Sequence, residues 1–167
     1  MKTLSELIKE IALGEVGVRE IGTSNSGPRV KEYQASTGLK GTGWPWCAAF
    51  ICWVVRQAMY AQFTAGAKGH TFKRPQTAAA YGFDEWSLAQ DDSTKTFRKH
   101  PGADYPIGIF SLMSTSHCGI ATSAPNKNGD FKTVEGNTNA AGSRDGGGVM
   151  VRVRNVRDVR DFIAFTV

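Results

Sequence analysis

Cysteine is scarce in this 167-residue chain, with three thiols at Cys47, Cys52 and Cys118 and no CxxC pair. An odd number without metal-ligand spacing argues against a disulfide framework and against a structural zinc site. At least one thiol is left free. Histidine is equally sparse, at His70, His100 and His117. No apolar run is long enough to span a bilayer. The opening Met1-Lys2-Thr3-Leu4-Ser5-Glu6 lacks the apolar core and small-residue cleavage site of a secretory signal. The expectation is a protein made in the cytoplasm that something else must carry to any site outside it. There is no acidic DxDxxG-like run, so no required metal and no cofactor is expected. Zinc-finger spacing, an RNP-like aromatic run and a dense basic helix are all missing, which argues against a nucleic-acid partner. Internal repeats and low-complexity tails are absent as well.

What remains is an ordinary globular composition, 41% apolar and 21% charged, of a length that suits one domain with a real core. The net charge is +5, from 20 basic and 15 acidic residues. The excess lies before Ala80, with 10 basic against 5 acidic residues; the remainder is balanced at 10 and 10. A mild basic balance suits an acidic polymer such as an anionic cell wall, without naming one.

The chain is organised around Gly43-Trp44-Pro45-Trp46-Cys47-Ala48-Ala49-Phe50. A Gly-Trp-Pro loop delivers Cys47 to the start of an apolar helix expected to end near Ala61. Pro45 fixes its own φ, and its missing N–H costs nothing ahead of a helix. At a helix N-terminus the backbone N–H groups are unpaired and the dipole is positive, which favours a thiolate, the reactive form of cysteine. A buried structural thiol is the competing reading.

Thr3-Leu4-Ser5-Glu6 has the capping-box pattern, and Leu4, Leu7, Ile8 and Ile11 follow at helical spacing, which predicts a helix over 4–13. Pro28 to about Ser36 reads as a short second helix after the polar loop 22–27. Pro75 to Trp86 is a candidate helix interrupted by Gly82, and 91–94 and 100–102 read as surface connections. His70 and His100 lie in polar, loop-like surroundings and read as solvated. From Tyr105 the period becomes strand-like. Strands are expected at 107–112, 116–123, 131–137, 149–153 and 161–167. The Asn126-Lys127-Asn128-Gly129 turn makes the second and third a hairpin. In 149–153 the valines should face the core, with Arg152 and Arg154 wet. Helices followed by an antiparallel meander predict an α+β fold, a helical part over 1–104 packed on a sheet of about five strands over 105–167.

A cysteine nucleophile needs a base, and the base needs a third group to orient it. His117 is the one histidine on a predicted strand, 70 residues after Cys47, so only the fold can bring them together. Glu135 and Asn137 lie on the neighbouring strand, two residues apart and therefore on one face. Either is placed to reach the far nitrogen of His117, where a carboxylate would favour the imidazolium. Each has a plain alternative, as a polar-face histidine or a solvated acid beside a turn.

Trp46-Cys47-Ala48-Ala49-Phe50 opening a helix, His117-Cys118-Gly119-Ile120 on a strand and Glu135-Gly136-Asn137 on the next resemble the CHAP domain. That family of cysteine- and histidine-dependent amidohydrolases/peptidases lies within the papain-like group that includes the NlpC-type cell-wall peptidases. The lead-in Glu15 to Glu20, then Asn25, Gly27, Val30 and Tyr33, is similar to that of phage-type members. An NlpC-type enzyme would carry Asp-Cys-Ser at the nucleophile. The resemblance covers nearly the whole chain. It implies a papain-like fold in a single catalytic domain over 1–167 and cleavage of an amide bond in bacterial peptidoglycan. Cys47 would be nucleophile, His117 base, Glu135 the orienting group, and Asn137 an aid at the ring or the oxyanion. The Cys47 N–H would be the oxyanion donor. The family's histidine is often followed by valine, where this chain has Cys118, to which no role attaches.

Trp44 and Trp46 flank the nucleophile. Core packing accounts for at least one, and a groove for sugar or peptide for the other. Asn25 is a further candidate at the groove's border. The expectation is a monomeric phage or prophage endolysin, made without a signal peptide and acting on the wall after release. The alternatives are a non-catalytic wall-binding or virion protein on the same fold, an injected interbacterial amidase, and an intracellular thiol enzyme.

Overall fold

The structure, a computed structural model, describes residues 1–70, 72–90, 94–98, 107–139 and 146–165. His100, the connections at 91–93 and 100–102, the start of the sheet part at 105–106, most of the 139–148 loop and the last two residues lie outside the described residues.

The first helix, α1 (Leu4–Gly14), begins with the capping box that its sequence announces. Thr3 Oγ1 accepts from the Glu6 N–H at 3.2 Å, and a Glu6 carboxylate oxygen accepts from the Thr3 N–H at 2.7 Å. Leu4, Ile8 and Ala12 form its buried stripe. Next, α2 (Pro28–Gln34) carries Pro28 in its first turn, where no N–H is needed. The central helix, α3 (Cys47–Thr64), is buried almost all round from Cys47 to Val55.

A three-part polar clamp fixes α2 against α3. Glu15 is buried and accepts from Arg29 Nε at 2.8 Å, from Arg29 Nη2 at 2.6 Å and from the Tyr33 hydroxyl. The Arg29 guanidinium lies 4.4 Å above the Trp53 ring. The Tyr33 ring stacks on Trp46 and meets Phe50 and Trp53 edge-on, each at 5.4 Å. Aromatic pairs of this kind contribute about 1 kcal/mol each beyond their buried area.

The 75–86 stretch departs from its expected helix, since only α4 (Gly82–Leu88) forms, beginning where an interruption was read. The preceding residues have their polar groups engaged elsewhere. Gly38 N–H donates to the Gln76 carbonyl, the Cys52 thiol to the Thr77 carbonyl, and the Ala79 N–H to Thr77 Oγ1. With those carbonyls held by other parts of the chain, the alanines at 78–80 form a turn and not a helix.

Six strands follow: β1 (Thr94–Arg98), β2 (Gly108–Leu112), β3 (Cys118–Ala121), β4 (Asp130–Thr138), β5 (Gly148–Asn155) and β6 (Val159–Phe165). The last five match the five read from the sequence, and β1 adds an edge strand in a stretch that carried no strand signal. The spatial order is β1-β6-β2-β3-β4-β5, all antiparallel. Thus β2 to β5 run as a meander, and β6 then crosses back to lie between β1 and β2. The β3–β4 hairpin turns at Asn126, whose side-chain oxygen accepts from the Asn128 and Asp130 N–H groups.

The alternation of the strands sorts the core into two layers. Ile109, Cys118, Ile120, Val134, Val149 and Ile163 join the helices, whereas Phe110, Ala121, Phe131, Phe162 and Ala164 form a second cluster. At Gly136 the start of α3 lies tight against β4. A Cβ built on it would lie 2.7 Å from Phe50 Cβ and 2.9 Å from Trp46 Cζ3, inside any real contact.

Gly136→Ala should therefore cost about 1–3 kcal/mol in urea unfolding, because helix and strand must part. Gly14→Ala, where the new methyl would meet nothing within 4 Å, should leave stability unchanged or raise it by up to about 1 kcal/mol. Equal effects of the two changes would show that the α3–β4 approach is not tight.

Candidate active site

Cys47 is the first residue of α3, and no side chain caps that terminus. The Phe50 N–H bonds the Trp46 carbonyl, closing the first turn. The N–H groups ahead of it are without intrahelical partners, which is the local condition for a thiolate and for an oxyanion. Cys47 also lines a cleft of about 240 Å³, with Leu39, Trp44, Pro45, the 78–80 turn and Ser116.

His117 stands immediately before β3, fully buried. Its backbone is held on both sides, the N–H by the Thr115 carbonyl and the carbonyl by the Leu112 N–H. Its Nε2 lies 2.8 Å from Glu135 Oε2. Nδ1 is left buried without a hydrogen-bond partner. The Cys47 and His117 side chains act on each other. The neighbouring Cys118 thiol, and after it the imidazole of His117, hold the Cys47 thiol well below its usual range against the opposing effect of burial. Burial alone would lower His117, but its interactions with Cys47 and Glu135 win and raise it to about 9.

Glu135 has no exposed surface and four donors around its carboxylate. Arg154 grips it twice, Nε to Oε1 at 2.8 Å and Nη2 to Oε2 at 2.6 Å. Thr133 Oγ1 donates to Oε1 at 2.7 Å, and His117 completes the set. Burial works to raise its pKa, and these partners overcome it and hold it at about 2. The sign of each linkage follows. The stabilisation from Glu135 is complete above pH 4.5 and lost as pH falls toward 2. That from His117 is complete below pH 6.5 and lost as pH rises through 9. Gly119 permits this packing: a Cβ there would lie 2.6 Å from Glu135 Cγ.

Asn137 does not share this cluster in the way its spacing suggested. The β4–β5 register shifts between Glu135 and Thr138, and Asn137 itself has φ +55°, so the two-residue alternation is broken there. Its amide is buried with neither atom hydrogen-bonded, to the ring or to anything else among the described residues.

The two tryptophans divide. Trp44 is half-buried and lines the cleft. Trp46, read as a candidate substrate contact, is core: it is fully buried, stacked on Tyr33, and donates from Nε1 to Glu20 at 2.8 Å. Asn25 is not among the cleft-lining residues. Its carbonyl accepts from Gln34 Nε2, which also donates to the Trp44 carbonyl at 2.9 Å and so ties the 22–27 loop to the loop before Cys47. Among the described residues no group of three or more His, Cys, Asp or Glu side chains is arranged to hold a metal ion.

Sequence reasoning missed Arg154. The alternation in β5 assigned it to the wet face, yet its side chain is mostly buried, while Val151 and Val153 are exposed. The pattern inverts because β5 is the sheet's edge, and because an ionised Glu135 holds the Arg154 guanidinium inward. The signal was the hairpin register itself, which sets Arg154 opposite Phe131, on Glu135's face of β4.

No family model matches the chain, and no curated protein matches it. Five chains of solved structures do match. The wild-type endolysin LysIME-EF1 is 17% identical at a TM-score of 0.54, covering 98% of this chain and 64% of its own. Ly7917 is 13% identical at a TM-score of 0.51, covering 98% of this chain and 63% of its own. The chain thus spans a little under two thirds of the length of either, and at these identities the likeness is one of fold.

Replacing Glu135 by Gln tests the electrostatics of the cluster. The imidazole of His117, followed by NMR, should titrate near 9 in the parent and closer to 6.5 in Glu135→Gln, because the imidazolium loses its carboxylate. An unmoved midpoint would show that Glu135 does not set the charge state of the ring.

Proposed function

We propose that this chain is a peptidoglycan hydrolase that cuts an amide bond by thiol catalysis, a CHAP-like catalytic domain of the phage or prophage endolysin type. The observation that carries this reading is the series Cys47, His117, Glu135, with its sulfur end in an open cleft and its carboxylate end anchored by Arg154. A buried structural cysteine has no need of an uncapped helix terminus, a neighbouring imidazole and a buried carboxylate behind that imidazole. The likeness in fold to an endolysin supports a wall substrate.

In this reading the Cys47 thiolate attacks the carbonyl carbon of an amide lying in the cleft. The negative charge that develops on the carbonyl oxygen is met by N–H groups at the start of α3. Protonated His117 gives its proton to the departing amine, leaving a thioester on Cys47. His117, now neutral, takes a proton from water, which attacks the thioester and releases a carboxylate and the free thiol. Glu135 holds the ring in orientation and stabilises its cation, and Arg154 and Thr133 hold Glu135. Trp44 supplies a flat apolar wall to the substrate. The enzyme works as a monomer on the wall, after release from the cell that made it, and needs neither metal nor cofactor.

Clearing of purified sacculi tests the reading, and mass spectrometry of the released fragments identifies the bond, whether muramyl-to-alanine, within the stem, or across the bridge. Cys47→Ala should abolish clearing with its circular dichroism unchanged, and Cys52→Ala should keep most of it. Clearing should decline as pH rises through 9, where His117 loses the proton it must donate. In Glu135→Gln that decline should move to lower pH and the plateau should fall by about 10²-fold. An active Cys47→Ala protein would exclude the thiol mechanism.

A further inference from the structure

We propose that the Ala78-Ala79-Ala80 turn sets the size of residue that the cleft admits, so that the bond met by Cys47 is one flanked by the smallest groups, alanine and glycine among them. The choice of bond rests on the hydrolase reading, whereas the width of the cleft does not. The cleft holds about 240 Å³, and two segments of the chain supply most of its walls. One is the loop leading into α3, with Leu39, Trp44 and Pro45; the other is the three-alanine turn. A volume of this size equals about eight waters and falls below the usual range for a small-molecule pocket. It suits a short stretch of peptide backbone bearing methyl groups, and it has no room for long side chains.

Hydrogen bonds fix the two walls to each other and to the nucleophile's helix. Arg74 Nη1 donates to the Ser36 carbonyl at 2.7 Å, and the Gly38 N–H donates to the Gln76 carbonyl at 2.8 Å. The chain just before Leu39 is thereby tied to the chain just before the turn. The Thr77 hydroxyl accepts from the Ala79 N–H at 3.1 Å, and the Thr77 carbonyl accepts from the Cys52 thiol of α3 at 3.3 Å. A Cβ on Gly82 would lie 2.1 Å from Thr77 Oγ1, so the start of α4 leaves room for the side chain that holds the turn. A wall anchored to α3, the helix that begins with Cys47, keeps its place when a substrate enters. Such a wall discriminates by size, because a larger residue must displace backbone that is already bonded. An apolar pocket distinguishes residues by about 10-fold or more for each methylene.

The test fills the cleft from the turn. Ala79 is exposed and its backbone bonds do not involve its methyl group, so Ala79→Leu should fold as the parent does. Ala65→Leu, at the far end of α3 from Cys47, is the control. The full chain is alkylated with iodoacetamide and with the bulkier N-phenyliodoacetamide. In each case the thiolate takes the reagent's CH₂ carbon and iodide leaves, and mass spectrometry follows the Cys47 peptide. Ala79→Leu should react with iodoacetamide within about twofold of the parent rate and with the phenyl reagent at least about 10-fold more slowly. Ala65→Leu should match the parent with both. Sacculi digested by the parent should release fragments cut only between alanine, glycine and the lactyl group of the sugar. Ala79→Leu should clear them at least about 10-fold more slowly, with the pH of its decline unmoved. Equal slowing of both reagents in Ala79→Leu, or of neither, would overturn the proposal, as would parent fragments cut beside an acidic or diamino residue. A parent that clears no sacculi, with the phenyl reagent alone slowed by Ala79→Leu, would support the size limit of the cleft and count only against the hydrolase reading.

Discussion

A carboxylate buried with no exposed surface stays ionised only when donors and cations replace the water it has lost. Glu135 meets that condition through Arg154, Thr133 and His117, and much of the molecule is arranged around it. The charge on Glu135 draws Arg154 off the solvent face of β5. With Cys47 it raises the pKa of His117 against burial that would lower it. Removing any one member would leave another charge buried without its partner. The arrangement is therefore costly to build in part and self-consistent when complete.

The second constraint is the approach of α3 to the sheet. Gly136 lets Phe50 and Trp46 press against β4, and Gly119 lets Phe110 and the Glu135 side chain pack across β3. Those contacts set how far the first turn of α3 stands from β3, and so how far the sulfur stands from the imidazole. The Glu15–Arg29–Tyr33 clamp and the Trp46–Glu20 bond hold the helix start from the other side. Gln34, through its bond to the Trp44 carbonyl, extends that support to the cleft wall. In the proposed mechanism, rigid support on both sides of Cys47 and His117 keeps the reacting atoms in line.

The helices α1 and α3 and five of the six strands were readable because each is written in local terms: a capping box, a proline before a helix, strand alternation, an Asn-Gly turn. The 75–86 stretch misled because its alanines favour a helix only when their neighbours' carbonyls are free. Here Gly38 and Cys52 take two of those carbonyls from elsewhere in the chain. Asn137 misled because a register shift is a property of two strands and not of one. Trp44 and Trp46 are alike in sequence and opposite in fate, since which of them meets the cleft depends on where Tyr33 and Glu20 lie.

By itself, then, the sequence determined the element types, the α+β order and the candidates Cys47, His117 and Glu135, since helix ends, strand periods and residue chemistry are short-range properties. The tertiary structure alone decided that Glu135 and not Asn137 bonds the ring, and that Arg154 turns inward to it. Those are contacts across 18 and 19 residues of chain, which no local pattern encodes. They exist because burial forces each charge to find a partner wherever the fold has brought one.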